Sequence, residues 1–284
     1  MSVVIGIDIG GSTTKIVGIR VAEDGSRSLI KPQNVKATDP LTAVYGAFGK
    51  FTDENRLEIK DISRVMMTGV GSSYVKRNLY GLDCHRASEF ESIGKGGLYL
   101  SGLKEALVVS MGTGTAMVHA KSGGRMTYLG GTGVGGGTLM GLSKLLLKAD
   151  NIDHIAEYAD GGDLANIDLR IKDITAKEAM SDLSRDMTAA NFGNVSDLAT
   201  KPDIAKGIMN MVFETVAMVS VFAARSVGVK DVVLTGNVTV LEQCKEKFKE
   251  INGMNYGVNF VIPDYSRYAT VIGAARRGVE DANL

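Results

Sequence analysis

Apolar side chains follow two rhythms along this chain. Short runs rich in β-branched residues open with Val3, Val4, Ile5, Ile7 and Ile9 and resume with Ile16, Val17 and Ile19. Such runs suit buried strands. Further strands are predicted over 26–35 and 62–67, on either side of Gly112, and over 231–235 and 256–263. Helical spacing appears at Leu41, Val44, Tyr45 and Phe48, over 139–147 and 152–159, and in two later stretches, 241–251 and 268–279. The stretch 84–95 is made of helix formers, and its spacing would let His85 and Glu89 pair on one face. The longest apolar segment, 205–227, has the length of a membrane span. Lys206, Asn210, Glu214 and Arg225 interrupt it, so it is expected to be a core helix, part of it a dimer face.

The first two strands are joined by Gly10-Gly11-Ser12-Thr13, followed by Lys15. Glycines leave backbone N–H groups unshielded, and hydroxyls and a cation complete a setting for phosphate. Asp8, at the end of the first strand, is placed to hold a magnesium ion. An ordinary glycine hairpin with Asp8 as a turn residue is the plain alternative, since the P-loop and dinucleotide motifs are absent. A second copy changes the balance. Residues 106–120 repeat the plan of apolar strand, glycine turn (Gly112, Thr113, Gly114, Thr115) and apolar strand, about a hundred residues later. Ser110 stands where the first copy has Asp8.

Composition narrows the partners. The 284 residues carry 32 Lys+Arg against 32 Asp+Glu, so nucleic acid and anionic membranes are not expected partners. At 44% hydrophobic the chain can build two modest cores. Two unpatterned cysteines, Cys84 and Cys244, suggest a reducing compartment. The first apolar run leads straight into the glycine turn without a basic leader, so no signal peptide and a cytoplasmic location are expected.

Other glycine stretches offer further binding elements. Six of the eight residues over 130–137 are glycine, and an apolar helix follows. The N–H groups of Gly135, Gly136 and Gly137 at that helix start are expected to form an anion site. The turn at 68–73 reads as a plain strand-to-helix connection, and 187–193 as a polar loop of small residues.

Two strand-turn-strand phosphate loops facing each other match the plan of the actin/hexokinase/Hsp70 superfamily. The chain further resembles the type II pantothenate kinases nearly end to end. The resemblance is carried by G-I-D-I-G-G-S at 6–12, E-F at 89–90, G-T-G-T at 112–115, G-G-T-G-V-G-G-G-T at 130–138, N-I-D-L at 166–169 and M-T-A-A-N-F-G at 187–193. It implies an α/β fold of two duplicated actin-like ATPase (ribonuclease H-like) domains, 1–98 plus 268–284 and 99–267, with an ATP cleft between them. It also implies ATP- and magnesium-dependent phosphorylation of pantothenate by a homodimer. By the same resemblance Glu89 is the catalytic base. Asp8, Gly10, Gly11, Ser12, Thr13 and Lys15, with the second loop, hold metal and phosphates, and Gly236 lies by the adenosine. Thr113, Asn191 and the region of Tyr128 and Arg125 touch substrate. Tyr128 departs from the family pattern, which has an arginine there; Arg125 is the nearest substitute. The alternatives left open are another small hydroxyl acceptor, an ATPase of the dehydratase-activator kind, and a non-catalytic nucleotide-binding regulator.

Overall fold

The computed structural model describes residues 2–11, 13–36, 39–175 and 184–282. The chain opens with β1 (Ser2–Ile9), β2 (Thr14–Val21), β3 (Arg27–Val35), α1 (Pro40–Glu54), β4 (Ile62–Thr68), β5 (Cys84–Arg86) and α2 (Glu89–Ser101). It continues with β6 (Glu105–Met111), β7 (Thr115–Lys121), β8 (Thr127–Thr132), α3 (Gly136–Leu147) and α4 (Ile152–Asp160). Then come β9 (Leu169–Arg170), α5 (Ile171–Ile174), β10 (Thr188–Ala190) and α6 (Lys201–Val227). The last elements are β11 (Asp231–Thr235), α7 (Glu242–Gly253), β12 (Asn259–Val261) and α8 (Ala269–Asp281).

Among the described residues the strands form two five-stranded sheets and one two-stranded ribbon. The first sheet runs β3-β2-β1-β4-β5 and the second β8-β7-β6-β11-β12. In each, a three-stranded antiparallel meander is extended by two parallel strands. The duplication inferred from the two glycine turns thus extends to sheet order. It also reaches single residues: Asp8 lies between Lys15 and Thr68, and Ser110 between Ala116 and Thr235. Thr68 and Thr235 are each followed by a glycine of positive φ, Gly69 (83°) and Gly236 (103°).

Both faces of the first sheet are covered, which is why β1 is a continuous apolar run. Ile5, Ile7 and Ile9 pack on Val44, Phe48 and Phe51 of α1. Val4, Val17 and Met66 pack on Val271, Ile272 and Ala275 of α8. On the second sheet Leu107, Val109, Val232 and Leu234 meet α6 through Ile208, Val212 and Val216. The other face, with Val108 and Val118, meets Ile93 and Leu98 of α2. Residue 98, the boundary expected from sequence, lies inside α2, which packs on the second sheet and against α8, while α8 packs on the first sheet.

The two helices cross between the sheets at very close range. A methyl group on Gly96 would run into the Ala269 carbonyl, and one on Gly273 into the Ser92 carbonyl. Around the crossing, Arg277 pairs with Glu91 at 2.8 Å and Lys95 with Glu280 at 2.6 Å. α6 is long and apolar enough for a membrane span, but most of its apolar window is buried in the second unit.

Several local expectations shift. The stretch 84–95 is not one helix: His85 lies on β5 and pairs with Asp83 at 2.8 Å, while Ser88 caps α2 and Glu89 is its first residue. The segment 187–193 contains β10, which pairs with β9. The last predicted strand, 256–263, shortens to β12.

Candidate active site

A cleft of about 530 Å³ opens between the two sheets where the strands β1, β4, β6 and β11 end. The first sheet contributes Asp8, Gly10, Gly11, Thr13 and Lys15 from the β1–β2 hairpin, and Gly69 and Val70 beyond β4. The second contributes Ser110 and the whole turn Gly112–Thr113–Gly114–Thr115 between β6 and β7. Tyr128, Gly131, Thr132 and Gly133 of β8 and beyond, and Gly236 with Asn237 after β11, complete that wall. Glu89 and Ile93 enter from α2, and Thr270 from the start of α8.

Asp8 and Lys15 are cross-strand partners at the base of the cleft. Lys15 is only 7% exposed, and burial lowers its pKa; Asp8 opposes that shift and the nearby Arg267 charge adds to it. Burial raises the Asp8 pKa against the pull of Lys15. Gly69 makes room for the carboxylate, since a Cβ there would stand 2.6 Å from Asp8 Oδ1. Glu89 is exposed to the cleft at the first turn of α2. Partial burial, and then the Asp8 charge, raise its pKa.

The geometry suits a bound polyphosphate with a magnesium ion. Positions 11 and 133 have open space where a side chain would stand. Among the described residues no group of three or more His, Cys, Asp or Glu side chains forms a metal cage. A single carboxylate, Asp8, sharing a magnesium ion with phosphate oxygens and water, fits that donor set.

The second loop is held by its own hydrogen bonds. Gly112 N–H donates to the Gly114 carbonyl at 2.8 Å, and Thr115 Oγ1 to the Val134 carbonyl at 2.8 Å. The start of α3 serves this loop. Gly136 N–H donates to the Gly112 carbonyl at 2.9 Å and Gly137 N–H to the Thr113 carbonyl at 2.8 Å.

The sequence model of the Fumble family matches residues 105–261, more than half of the chain. A type II pantothenate kinase of Oceanobacillus iheyensis is 31% identical over 209 residues, 69% of this chain and 76% of that one. One from Staphylococcus saprophyticus is 28% identical over 242 residues, 82% and 84% of the two chains. The chain belongs to the Fumble family, that of the type II pantothenate kinases. Solved structures similar to this Fumble-family chain support the fold. The activator of 2-hydroxyisocaproyl-CoA dehydratase from Clostridium difficile, with bound ADPNP, has a TM-score of 0.69 at 18% identity over 99% of this chain and 96% of its own. A ROK-family glucokinase from Streptomyces griseus, in complex with glucose and AMPPNP, has a TM-score of 0.60 at 13% identity over 97% and 99%. The fold is therefore that of the actin-like ATPases.

Within this Fumble-family cleft the two loops, Glu89, Tyr128 and Gly236 come together; Ser12 lies outside the described residues. Gly135, Gly136 and Gly137 do not line it. They are placed behind the second loop, and the N–H groups of Gly136 and Gly137, expected to be free for an anion, are taken by its carbonyls. Of the loop glycines that do line the cleft, Gly131 and Gly133, it is Gly133 that has open space at the Cβ position. Arg125 is exposed in the turn between β7 and β8, outside the cleft lining. Asn191 lies apart too, donating to Glu214 of α6 at 3.3 Å. Gly69 and Val70, in a turn read from sequence as a plain connection although it faces the cleft in the superfamily, line the cleft. The clue was the repeated Thr-Gly pair at 68–69 and 235–236.

Proposed function

We propose that the protein transfers the γ-phosphoryl group of ATP to the primary hydroxyl of pantothenate, giving 4′-phosphopantothenate and ADP. Glu89 carries this reading: it brings a carboxylate with a raised pKa to a cleft bounded by two phosphate-type loops. Phosphoryl transfer needs positioning, charge neutralisation and an acceptor for the hydroxyl proton. Glu89 takes that proton as the acceptor oxygen bonds to the γ-phosphorus and the bond to the β-phosphate bridging oxygen breaks. Lys15, with those N–H groups and hydroxyls of the two loops that are not used in the loops' own hydrogen bonds, holds the phosphate chain. Magnesium, when bound at Asp8, neutralises phosphate charge. A neighbouring cavity of about 540 Å³, bounded by Lys249, Tyr265 and Ser266, offers space for the adenosine end. It adjoins the cleft where Gly236 N–H donates to the Ser266 carbonyl at 3.1 Å. The enzyme is read as a cytoplasmic homodimer, with the exposed Phe222 side of α6 as the contact face.

The dehydratase-activator reading gains nothing from the cysteines. That reading expects a closely placed cysteine pair holding an iron–sulfur cluster between two subunits, whereas Cys84 lies on β5 of the first sheet and Cys244 is buried on α7, against the second sheet. The test is ADP release with ATP and magnesium, with and without pantothenate. Pantothenate-dependent release is expected; release that ignores pantothenate would sink the proposal.

A further inference from the structure

A cavity of about 310 Å³ opens between α4, α6 and α7 and shares no lining residue with the cleft. Its wall is apolar at Ala159, Leu164, Met209 and Phe213. Two side-chain amides also line it, Asn210 of α6 and Gln243 of α7. Each amide is oriented by a carboxylate. Asn210 Nδ2 donates to Asp168 Oδ2 at 2.8 Å and to Thr188 Oγ1 at 3.2 Å. Gln243 Nε2 donates to Asp160 Oδ1 at 2.6 Å and to the Ala156 carbonyl at 3.1 Å. A carboxylate only accepts, so each amide must turn its NH2 group toward its aspartate, which sends the carbonyl oxygen the other way. Asn210 is only 3% exposed, and both Asn210 Oδ1 and Gln243 Oε1 are buried without a hydrogen-bond partner among the described residues. Leaving a buried acceptor unpaired is costly, so two of them lining one cavity mark a place for a donor.

The lysines of the cavity do not supply it. Lys206 Nζ donates to the Gly162 carbonyl at 2.8 Å, and Lys247 Nζ pairs with Glu250 at 2.7 Å. The carboxylates of Asp160, Glu246 and Glu250 outnumber these two cations, so the lining is net negative. A ligand suited to it brings N–H donors, positive charge and an alkyl chain for the apolar wall. An anion would meet carbonyl oxygens and carboxylates, and a bare metal ion would leave the apolar wall unused. The contact face read on α6 does not cover the cavity, because helical spacing puts Phe213 and Phe222 on opposite sides of that helix.

We propose that this cavity binds a small primary alkylammonium compound, whose ammonium group donates to Asn210 Oδ1 and Gln243 Oε1 and whose chain lies against Met209 and Phe213. The site is separate from the phosphoryl-transfer reading above and does not rest on it. Asn210 also holds Thr188 of β10 and Asp168, and Asp168 accepts from the Phe192 N–H at 2.8 Å. An occupant thus links the β9–β10 ribbon to α4 and α7 through one chain of hydrogen bonds.

The experiment titrates the whole chain with n-butylammonium chloride in sodium chloride buffer of constant ionic strength, by calorimetry and ligand-observed NMR. The comparison compounds are 1-butanol, sodium butyrate and potassium chloride. Saturable binding of n-butylammonium is expected, with a Kd on the order of 1 mM and about tenfold or more tighter than any comparison compound. Glu246→Lys, an exposed change at the rim, is expected to weaken it by about tenfold. Gln243→Leu removes one of the two acceptors and is expected to weaken it by at least as much. The wild-type comparison needs no variant, and Glu246→Lys leaves the core untouched. No saturation by about 100 mM, equal binding of 1-butanol, butyrate or potassium, or unchanged affinity in both variants overturns the inference. ADP release in the pantothenate assay is read separately, so none of these outcomes bears on the kinase reading.

Discussion

Glu89 and Asp8 face one cleft from different halves of the molecule, and the charge of Asp8 reinforces the effect of burial in raising the Glu89 pKa. A base held in that way accepts a proton more readily than a free glutamate does. Glu89→Gln is expected to lower kcat by about 10²–10⁴-fold. Nucleotide binding and the thermal midpoint should stay near wild type, because Glu89 makes no contact that supports the core. Turnover within threefold of wild type would remove Glu89 from the mechanism.

The pH profile follows from the same two groups and Lys15. Glu89 works deprotonated, so kcat/KM should climb with pH through an apparent pKa above the ordinary glutamate value. Lys15 works protonated, and its lowered pKa places the alkaline limb below the ordinary lysine range. Arg267 adds to that lowering, so Arg267→Gln should move the alkaline limb to higher pH. An alkaline limb that stays in place would detach Lys15 from it.

Gly273 tests the helix crossing. Gly273→Ala drives a methyl group into the Ser92 carbonyl and is expected to cost about 1–3 kcal/mol in denaturant unfolding. Gly46, exposed on α1 with open space beside it, is the control: Gly46→Ala should stabilise by roughly 0.5–1 kcal/mol. Equal effects at the two sites would mean the crossing is loose.

Asp203 predicts an acid-sensitive joint. Its carboxylate accepts from the backbone N–H groups of Thr200 and Asp163, which lower its pKa to about 2. A carboxyl group more acidic in the folded chain than in the unfolded one stabilises at pH values above its unfolded pKa. That contribution drains away as pH falls from the ordinary 3.8 toward about 2. Asp203→Asn should therefore be less stable than wild type at pH 7, with the gap closing across that window. A gap that persists at pH 2 would assign the effect to shape rather than charge.

Much of the cleft was legible in sequence because its pieces are local. Apolar runs broken by Gly10-Gly11 and by Gly112-Thr113-Gly114 announce strand-turn-strand units, and their repetition announces two halves. Other features depend on register, which composition does not encode. Whether Gly136 and Gly137 offer or use their N–H groups is decided by carbonyls of the second loop, more than twenty residues upstream. His85 and Glu89 have helical spacing, yet β5 ends between them because Arg86 pairs with Met67. Phe90 and Tyr128, far apart in sequence, stack with ring centroids 4.0 Å apart, and only the packing of α2 on the second sheet brings them together.

That packing has a mechanical result. α2 rides on the second sheet and carries Glu89, while the first sheet carries Asp8 and supports α8. The point where the helices touch is a fulcrum, with glycine backbones in contact and ion pairs at its edges. Turning one half about it changes the separation of Glu89 and Asp8 directly, as the jaws of pliers answer their pivot.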